Sequence, residues 1–207
     1  MNLYGENLAY SYCNGDPLFQ GFDIVIHPGE IVGLHGYSGC GKTTLGKILA
    51  GYIQPDVGVV KLGEAPITAR GFCPVQMIHQ HPNTSIDPRW RLRQVLSSMR
   101  GNLAQTMEWF ELDPAWLVRY PGEVSGGELQ RFCVARAFDD RTRYLVADEI
   151  TTMMDGLLQA KLWKRIVALA QERRIGLLVI SHDHDLLAKL CDRVIQLSIP
   201  CQWSKAE

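Results

Sequence analysis

No run of apolar residues in this 207-residue chain approaches the roughly 20 needed to cross a bilayer as a helix. The start, Met1-Asn2-Leu3-Tyr4-Gly5-Glu6, lacks the basic residues and apolar stretch of an export signal. A cytosolic protein with no membrane span of its own is the expectation. No long basic run occurs and the net charge is −1, so the usual electrostatic surface for nucleic acid is missing. The six cysteines, Cys13, Cys40, Cys73, Cys133, Cys191 and Cys201, stand singly. Without the close pairs that zinc or redox motifs need, they read as reduced thiols. Internal repeats and low-complexity segments are absent as well. What remains, with 46% hydrophobic residues, suffices for one sizeable core and a small inserted subdomain, and is too little for two full domains.

What the chain does have is Gly36-Tyr37-Ser38-Gly39-Cys40-Gly41-Lys42-Thr43, two glycines separated by four residues and followed by Lys and Thr. Ile31-Val32-Gly33-Leu34 before it is long enough for a buried strand, and Leu45, Ile48 and Leu49 after it recur at helical spacing until Gly51. The context is strand, loop, helix. Glycines let the backbone come close to an anion, so successive N–H groups and the helix start would point at one phosphate. Gly36, Ser38, Gly39, Cys40, Gly41, Lys42, Thr43 and Thr44 are therefore the candidate nucleotide-binding set. Lys42 would reach the terminal phosphates, and the Thr43 hydroxyl would help to hold a magnesium ion bridging them. A plain glycine-rich turn is the bland alternative. Cys40 is either a small residue tolerated in the loop or a thiol open to oxidation.

The remaining chain fits around that loop. Leu8-Ala9-Tyr10-Ser11-Tyr12 and Phe22-Asp23-Ile24-Val25-Ile26 alternate as strands across an Asn14-Gly15-Asp16-Pro17 turn. Tyr12 could stack on a nucleobase, whereas Tyr10 could equally be core packing. Gly58-Val59-Val60-Lys61-Leu62-Gly63 and Val75-Gln76-Met77-Ile78-His79 read as further strands. From Trp90 to about Leu117 the pattern turns helical, with Leu92, Val95, Leu96 and Met99 on one face and Leu103, Met107, Phe110 and Leu112 on another. We read residues 81–125, approximately, as a helical subdomain inserted in a single domain spanning 1–207. Ser125-Gly126-Gly127-Glu128 is a capping-box start for a helix to about Phe138. Its glycines fit a flexible entry or a second anion-binding helix terminus.

Tyr144-Leu145-Val146-Ala147 is an apolar strand ending in Asp148-Glu149, two carboxylates that are costly there unless they serve a cation or a reaction. Asp148 would hold magnesium through water, and Glu149 would act as general base on the attacking water. Asp155 opens an amphipathic helix through Leu158, Leu162 and Ile166. Leu177-Leu178-Val179-Ile180 then delivers Ser181-His182-Asp183 to the end of a buried strand, where open parallel sheets bind ligands. His182 would bond the γ-phosphate, or else be a capping or surface histidine; His182 and His184 alone make a poor metal pair. Val194-Ile195-Gln196-Leu197 is the last strand.

The phosphate loop, Gln80, Ser125-Gly126-Gly127-Glu128, Asp148-Glu149, Asp155 and His182 occur in the order and spacing of the ATP-binding cassette ATPases, which the chain resembles over nearly its whole length. The resemblance implies an α/β fold, a P-loop NTPase (RecA-like) core with an antiparallel β subdomain and an inserted α-helical subdomain. It also implies ATP and Mg2+ as ligands. Gln80 becomes the Q-loop glutamine, a metal and catalytic candidate beside Glu149, His182 and Lys42. Ser125, Gly126, Gly127 and Glu128 become the signature, and Asp155 part of the D-loop. A head-to-tail dimer with a second, homologous or identical ATPase subunit follows, each phosphate loop facing the partner's signature. Transmembrane permease subunits and an external substrate-binding protein would complete it at the cytoplasmic face of the membrane, with no nucleic acid.

Met77-Ile78-His79-Gln80-His81-Pro82-Asn83-Thr84-Ser85-Ile86-Asp87-Pro88-Arg89 is similar to the corresponding segment of peptide and nickel importer ATPases, with Asp87 in place of Asn. The departures are Glu128 for a common Gln, Ile150 for Pro, and Thr152-Met153-Met154-Asp155 for Ser-Ala-Leu-Asp. Peptide importer ATPases usually continue beyond the point where this sequence stops. The expected function is ATP hydrolysis coupled to import of a small peptide, nickel or a metal-chelate complex. A soluble cassette acting on nucleic acid or ribosomes is the alternative; it would bring a second cassette, a coiled coil or a basic surface.

Overall fold

A computed structural model describes residues 1–12, 16–67, 71–152 and 154–197; Cys13, the Asn14-Gly15 half of the first turn, Met153 and Cys201 lie outside them. The chain opens with β1 (Leu3–Ser11) and β2 (Pro17–Ile26), then β3 (Ile31–His35) runs into the glycine loop and α1 (Lys42–Leu49). Next come β4 (Val57–Leu62), the two-residue β5 (Ala65–Pro66) and β6 (Val75–Ile78). The helical stretch follows as α2 (Leu92–Ser97), α3 (Leu103–Trp109) and α4 (Gly126–Ala137), with a 3-10 turn at Pro114–Val118 before α4. The chain then alternates through β7 (Tyr144–Asp148), α5 (Gly156–Glu172), β8 (Gly176–Ile180), α6 (His184–Leu190) and β9 (Arg193–Gln196).

Two sheets result. β1 and β2 form the expected antiparallel pair, which β4 and β5 extend to the order β2-β1-β4-β5. The second sheet is parallel, in the order β6-β7-β8-β3-β9. Because β7 and β8 are buried throughout, the alternation of their side chains divides the core into two layers. Leu145, Ala147, Leu177 and Val179 point to one side, into a core shared with Leu92, Leu96, Phe110, Phe132 and Ile166. Val146, Leu178 and Ile180 point to the other, against α1 and the antiparallel sheet. The helix α1 lies close on the strands because Gly46 has no side chain: a Cβ there would stand 3.0 Å from both Ile180 and Val146.

The helical stretch from Trp90 to Leu117 forms separate short helices, α2 and α3, with Gly101 (φ 135°) between them. Two sequence expectations need correction. Leu103 does not join its predicted apolar face: it sits at the start of α3 and is exposed, whereas Phe110 and Leu112 are buried. Leu158 likewise faces outward in the first turn of α5, while Leu162 and Ile166 go to the core. The helix α6 has its own signal in the sequence: Asp183 accepts from the amides of Asp185 and Leu186 at its start, and Leu186, Leu187 and Leu190 supply an apolar helical spacing.

Candidate functional site

In a parallel sheet all strands end on one edge, and here four neighbours bring different chemistry to it. β6 leads to Gln80, β7 ends in Asp148 and continues to Glu149, β8 leads to Ser181 and His182, and β3 feeds the glycine loop. A cavity of about 360 Å³ opens there, lined by Tyr12, Leu18, Ser38, Gly39, Gly41, Lys42, Thr43, Thr44, Gln80 and Glu149. The loop turns sharply through Gly39 (φ 81°) and Gly41 (φ 98°), left-handed values that favour glycine. The Lys42 ammonium is buried and donates to the carbonyls of Gly36 (2.7 Å) and Tyr37 (2.9 Å), so it lies curled against its own loop.

The acidic pair is held from several elements. The Thr43 hydroxyl donates to Asp148 Oδ1 at 3.2 Å, joining the start of α1 to the end of β7. Burial pushes the Asp148 carboxyl up and the Glu149 charge adds to that, while the Thr43 hydroxyl pulls it back. A buried carboxylate beside a hydroxyl is an all-oxygen donor set, the chemistry that a hard divalent cation prefers. Glu149 Oε2 accepts from Gln80 Nε2 at 3.2 Å, and its Oε1 lies 3.4 Å from His182 Nδ1. The Glu149 backbone is left-handed, with φ 48°, a conformation that costs a side-chain-bearing residue about 1 kcal/mol or more. It is held by its N–H to the Ile180 carbonyl (3.0 Å) and by the Thr152 N–H and hydroxyl, which both donate to its carbonyl (3.4 and 3.2 Å). No periodicity in the sequence announces such a turn.

Tyr12 is 54% exposed at the mouth of this cavity, its hydroxyl 2.8 Å from that of Thr44 and its ring edge-on to Tyr10 at 5.2 Å. Cys40 is buried beneath the loop. Behind the loop, His35 stacks on His184 with ring centroids 4.1 Å apart, and burial with the neighbouring His184 keeps the His35 imidazole below its usual range. Sequence reasoning missed that pair, because the two histidines are brought together only by α6 packing on β3.

Ser125 through Glu128 lies elsewhere. Ser125 caps α4, its hydroxyl accepting from the Glu128 N–H (3.3 Å) while the Glu128 carboxylate accepts from the Ser125 N–H (2.7 Å). That backbone bond holds the Glu128 carboxyl below its usual range. The groove beside it is lined by Glu111, Ser125, Gly127, Glu128, Arg131, Met154, Leu158, Lys161, Leu162 and Arg165, none of which lines the phosphate-loop cavity. Asp155 caps α5, accepting from the amides of Leu157 (3.0 Å) and Leu158 (2.9 Å). One chain therefore presents two separate features, the phosphate-loop cavity and the groove beside the capped start of α4, with Glu149 at only the first of them.

Residues 19–152 match the ABC transporter family. The chain belongs to it. The nickel import system ATP-binding protein NikE of Staphylococcus aureus strain bovine RF122 / ET3-1 is 34% identical over 205 residues, an alignment covering 93% of this chain and 84% of that protein. NikE of strain N315 is 33% identical over the same span. Among solved structures, the dimeric ABC transporter cassette MJ0796 superposes with TM-score 0.79 at 20% identity, covering 94% of this chain and 93% of that one. CbiO1 of Clostridium perfringens, part of the cbiONQ transporter complex, superposes with TM-score 0.76 at 20% identity, covering 94% and 83%. The two-sheet architecture is thus that of an ABC cassette, an α/β P-loop ATPase. In this ABC ATPase, residues 36–44 and the Asp148-Glu149 pair share one sheet edge, while the exposed Leu158 lines the groove beside Ser125 and Glu128.

Proposed function

We propose that this ABC ATPase is the ATP-hydrolysing subunit of an importer, taking up nickel, a metal-chelate complex or a small peptide through membrane permease subunits. The NikE relatives favour nickel. One observation carries the hydrolytic reading: Glu149 stands beside the phosphate-loop cavity with Gln80 on one carboxylate oxygen and His182 near the other. Lys42 would leave the Gly36 and Tyr37 carbonyls for the phosphates, Thr44 and the loop amides would bind them, and Tyr12 would stack on the base. Thr43, Asp148 and Gln80 would hold magnesium, whose charge would offset the negative charge of the phosphates. Glu149 would orient the attacking water and take its proton, while His182 would donate to the γ-phosphate.

In our reading the cavity is completed by Ser125, Gly126, Gly127 and Glu128 of a second cassette, identical or homologous, in a head-to-tail dimer, with Asp155 nearby. The separation of the two features within one chain supports this, as does the dimer described for the related fold of MJ0796. Residues 81–125 act as an inserted helical subdomain facing the permease, and an external substrate-binding protein delivers the cargo. The chain would then sit at the cytoplasmic membrane face; among the described residues no helix is long and apolar enough to cross a membrane. Nothing in the site favours a cassette acting on nucleic acid.

The test is Glu149→Gln in the full chain. It should bind ATP with unchanged affinity, accumulate as a dimer in the presence of ATP and magnesium on light scattering, and hydrolyse at least 100-fold more slowly, in keeping with loss of a general base of about 10²–10⁴-fold effect. Turnover at the unsubstituted rate ends the assignment. Affinity purification from membranes of cells grown with nickel should recover permease subunits.

A further inference from the structure

Among the described residues, only two buried side-chain polar atoms have no hydrogen-bond partner, Gln130 Oε1 and Ser85 Oγ. Both lie where α4 packs on the segment following β6. Gln130 is 3% exposed, and its Nε2 donates to the His79 carbonyl at 3.2 Å. Arg136, further along α4, donates to the Ser85 carbonyl at 3.2 Å. The amide of Gln130 has only one sensible orientation, since turning it over would set its oxygen against the His79 oxygen.

The grip on that carbonyl matters because the His79 C=O and the Gln80 N–H belong to one rigid peptide plane. Holding the plane restricts the backbone angle from which the Gln80 side chain departs, and the Gln80 amide in turn donates to Glu149 Oε2 at 3.2 Å. The helix that Ser125 caps is thus tied through Gln130 to the His79–Gln80 peptide, and through the Gln80 side chain to Glu149. For stability alone Gln130 is a poor choice. A buried acceptor left unpaired opposes folding by about as much as its donor bond contributes, and an apolar side chain of the same shape would serve the core as well.

We propose that Gln130 is a positioning residue: it sets the Gln80 peptide, and through it the Glu149 carboxylate, according to where the signature helix α4 stands. This rests on the hydrolytic reading above. It makes no contact with substrate of its own. Retaining an amide at a core position is the cost of tying the Q-loop to the helix that carries the signature.

Gln130→Met keeps the length and lack of branching and removes both amide atoms. The expected result in the full chain is a melting temperature equal to or above that of the unsubstituted protein, an unchanged KM for ATP and a kcat lowered about 5- to 10-fold, the rate equivalent of misplacing one hydrogen bond. With Gln80→Ala present, Gln130→Met should have no further effect on kcat, since it acts through Gln80. An unchanged kcat overturns the proposal. So does a parallel fall of kcat and melting temperature that persists fully on Gln80→Ala, which marks an ordinary packing residue. If Gln130→Met does not fold, hydrogen exchange on the unsubstituted protein decides: adding ATP and magnesium should change protection of residues 79–86 and 126–131 together, and independent changes overturn it. Absence of any ATP hydrolysis by the unsubstituted protein would instead remove the hydrolytic reading beneath it.

Discussion

Asp139 offers the most quantitative test of how the helical stretch is fastened to the parallel sheet. It follows α4, and its side chain is 2% exposed. Its Oδ2 accepts from the Arg100 N–H (2.8 Å) and Arg141 Nη2 (2.7 Å), and its Oδ1 from the Arg141 N–H (2.8 Å) and Nε (2.7 Å). Burial pushes this carboxyl up, but the Arg141 guanidinium and the two backbone amides outweigh it and bring the pKa from 3.8 down to about 2. A fall of that size converts to about 2.5 kcal/mol of stability. Because the folded value is depressed, this contribution is complete above the unfolded value of 3.8 and disappears as pH falls towards 2. Asp139→Asn keeps one acceptor but turns an amide NH2 towards donors on the other side, so the loss should be about 2.5–4 kcal/mol. For a chain of this length that is a drop in melting temperature of about 5–15 °C. The gap should be flat between pH 5 and 8 and close below 3.8, while ATP affinity is unaffected. Urea unfolding across that range measures it. A loss under about 1 kcal/mol, or a gap that varies between pH 6 and 8, refutes the accounting.

Other perturbations bear on the site itself. Asp148→Asn should raise the melting temperature of the nucleotide-free protein at pH 7: the raised carboxyl means the ionised form is disfavoured in the fold, a penalty that grows as pH climbs through 3.8 and is absent below it. The same variant should lose magnesium-dependent ATPase activity, so a variant both less stable and active contradicts the role given to Asp148. Lys42→Ala should weaken ATP binding at least 10-fold by equilibrium titration; an unchanged dissociation constant would refute its phosphate contact. Gly46→Val should cost about 2 kcal/mol in urea unfolding, because its Cβ alone already meets Ile180 and Val146 at 3.0 Å. A neutral result would mean that α1 can lift off the sheet. Tyr12→Ala should reduce ATP affinity several-fold where Tyr12→Phe does not, separating ring stacking from the hydroxyl contact to Thr44.

The chemistry of the loop was legible because it is local. Gly36 to Thr44 must sit between a buried strand and a helix for their amides to converge, and that order is written in consecutive residues. The same holds for the cap at Ser125 and Glu128, a bond between neighbours three apart. Apolar runs marked β7 and β8 as buried, and their acidic and histidine endings marked the sheet edge where Glu149 meets His182. Where periodicity misled, as at Leu103 and Leu158, the residue lies in the first turn of its helix, at the margin of the packed surface.

Long-range contact was not legible in this way. Glu149 meets Gln80 and His182 only because β6, β7 and β8 are neighbours in the parallel sheet, although the residues stand 69 positions apart in one case. The left-handed turn at Glu149, the His35–His184 stack and the Gln130 grip on His79 share that dependence. Composition and spacing determined which groups this chain would bring to a nucleotide; strand order and helix packing decided which of them touch, since a side chain's partners across the sheet are set by neighbours that its own stretch of sequence does not contain.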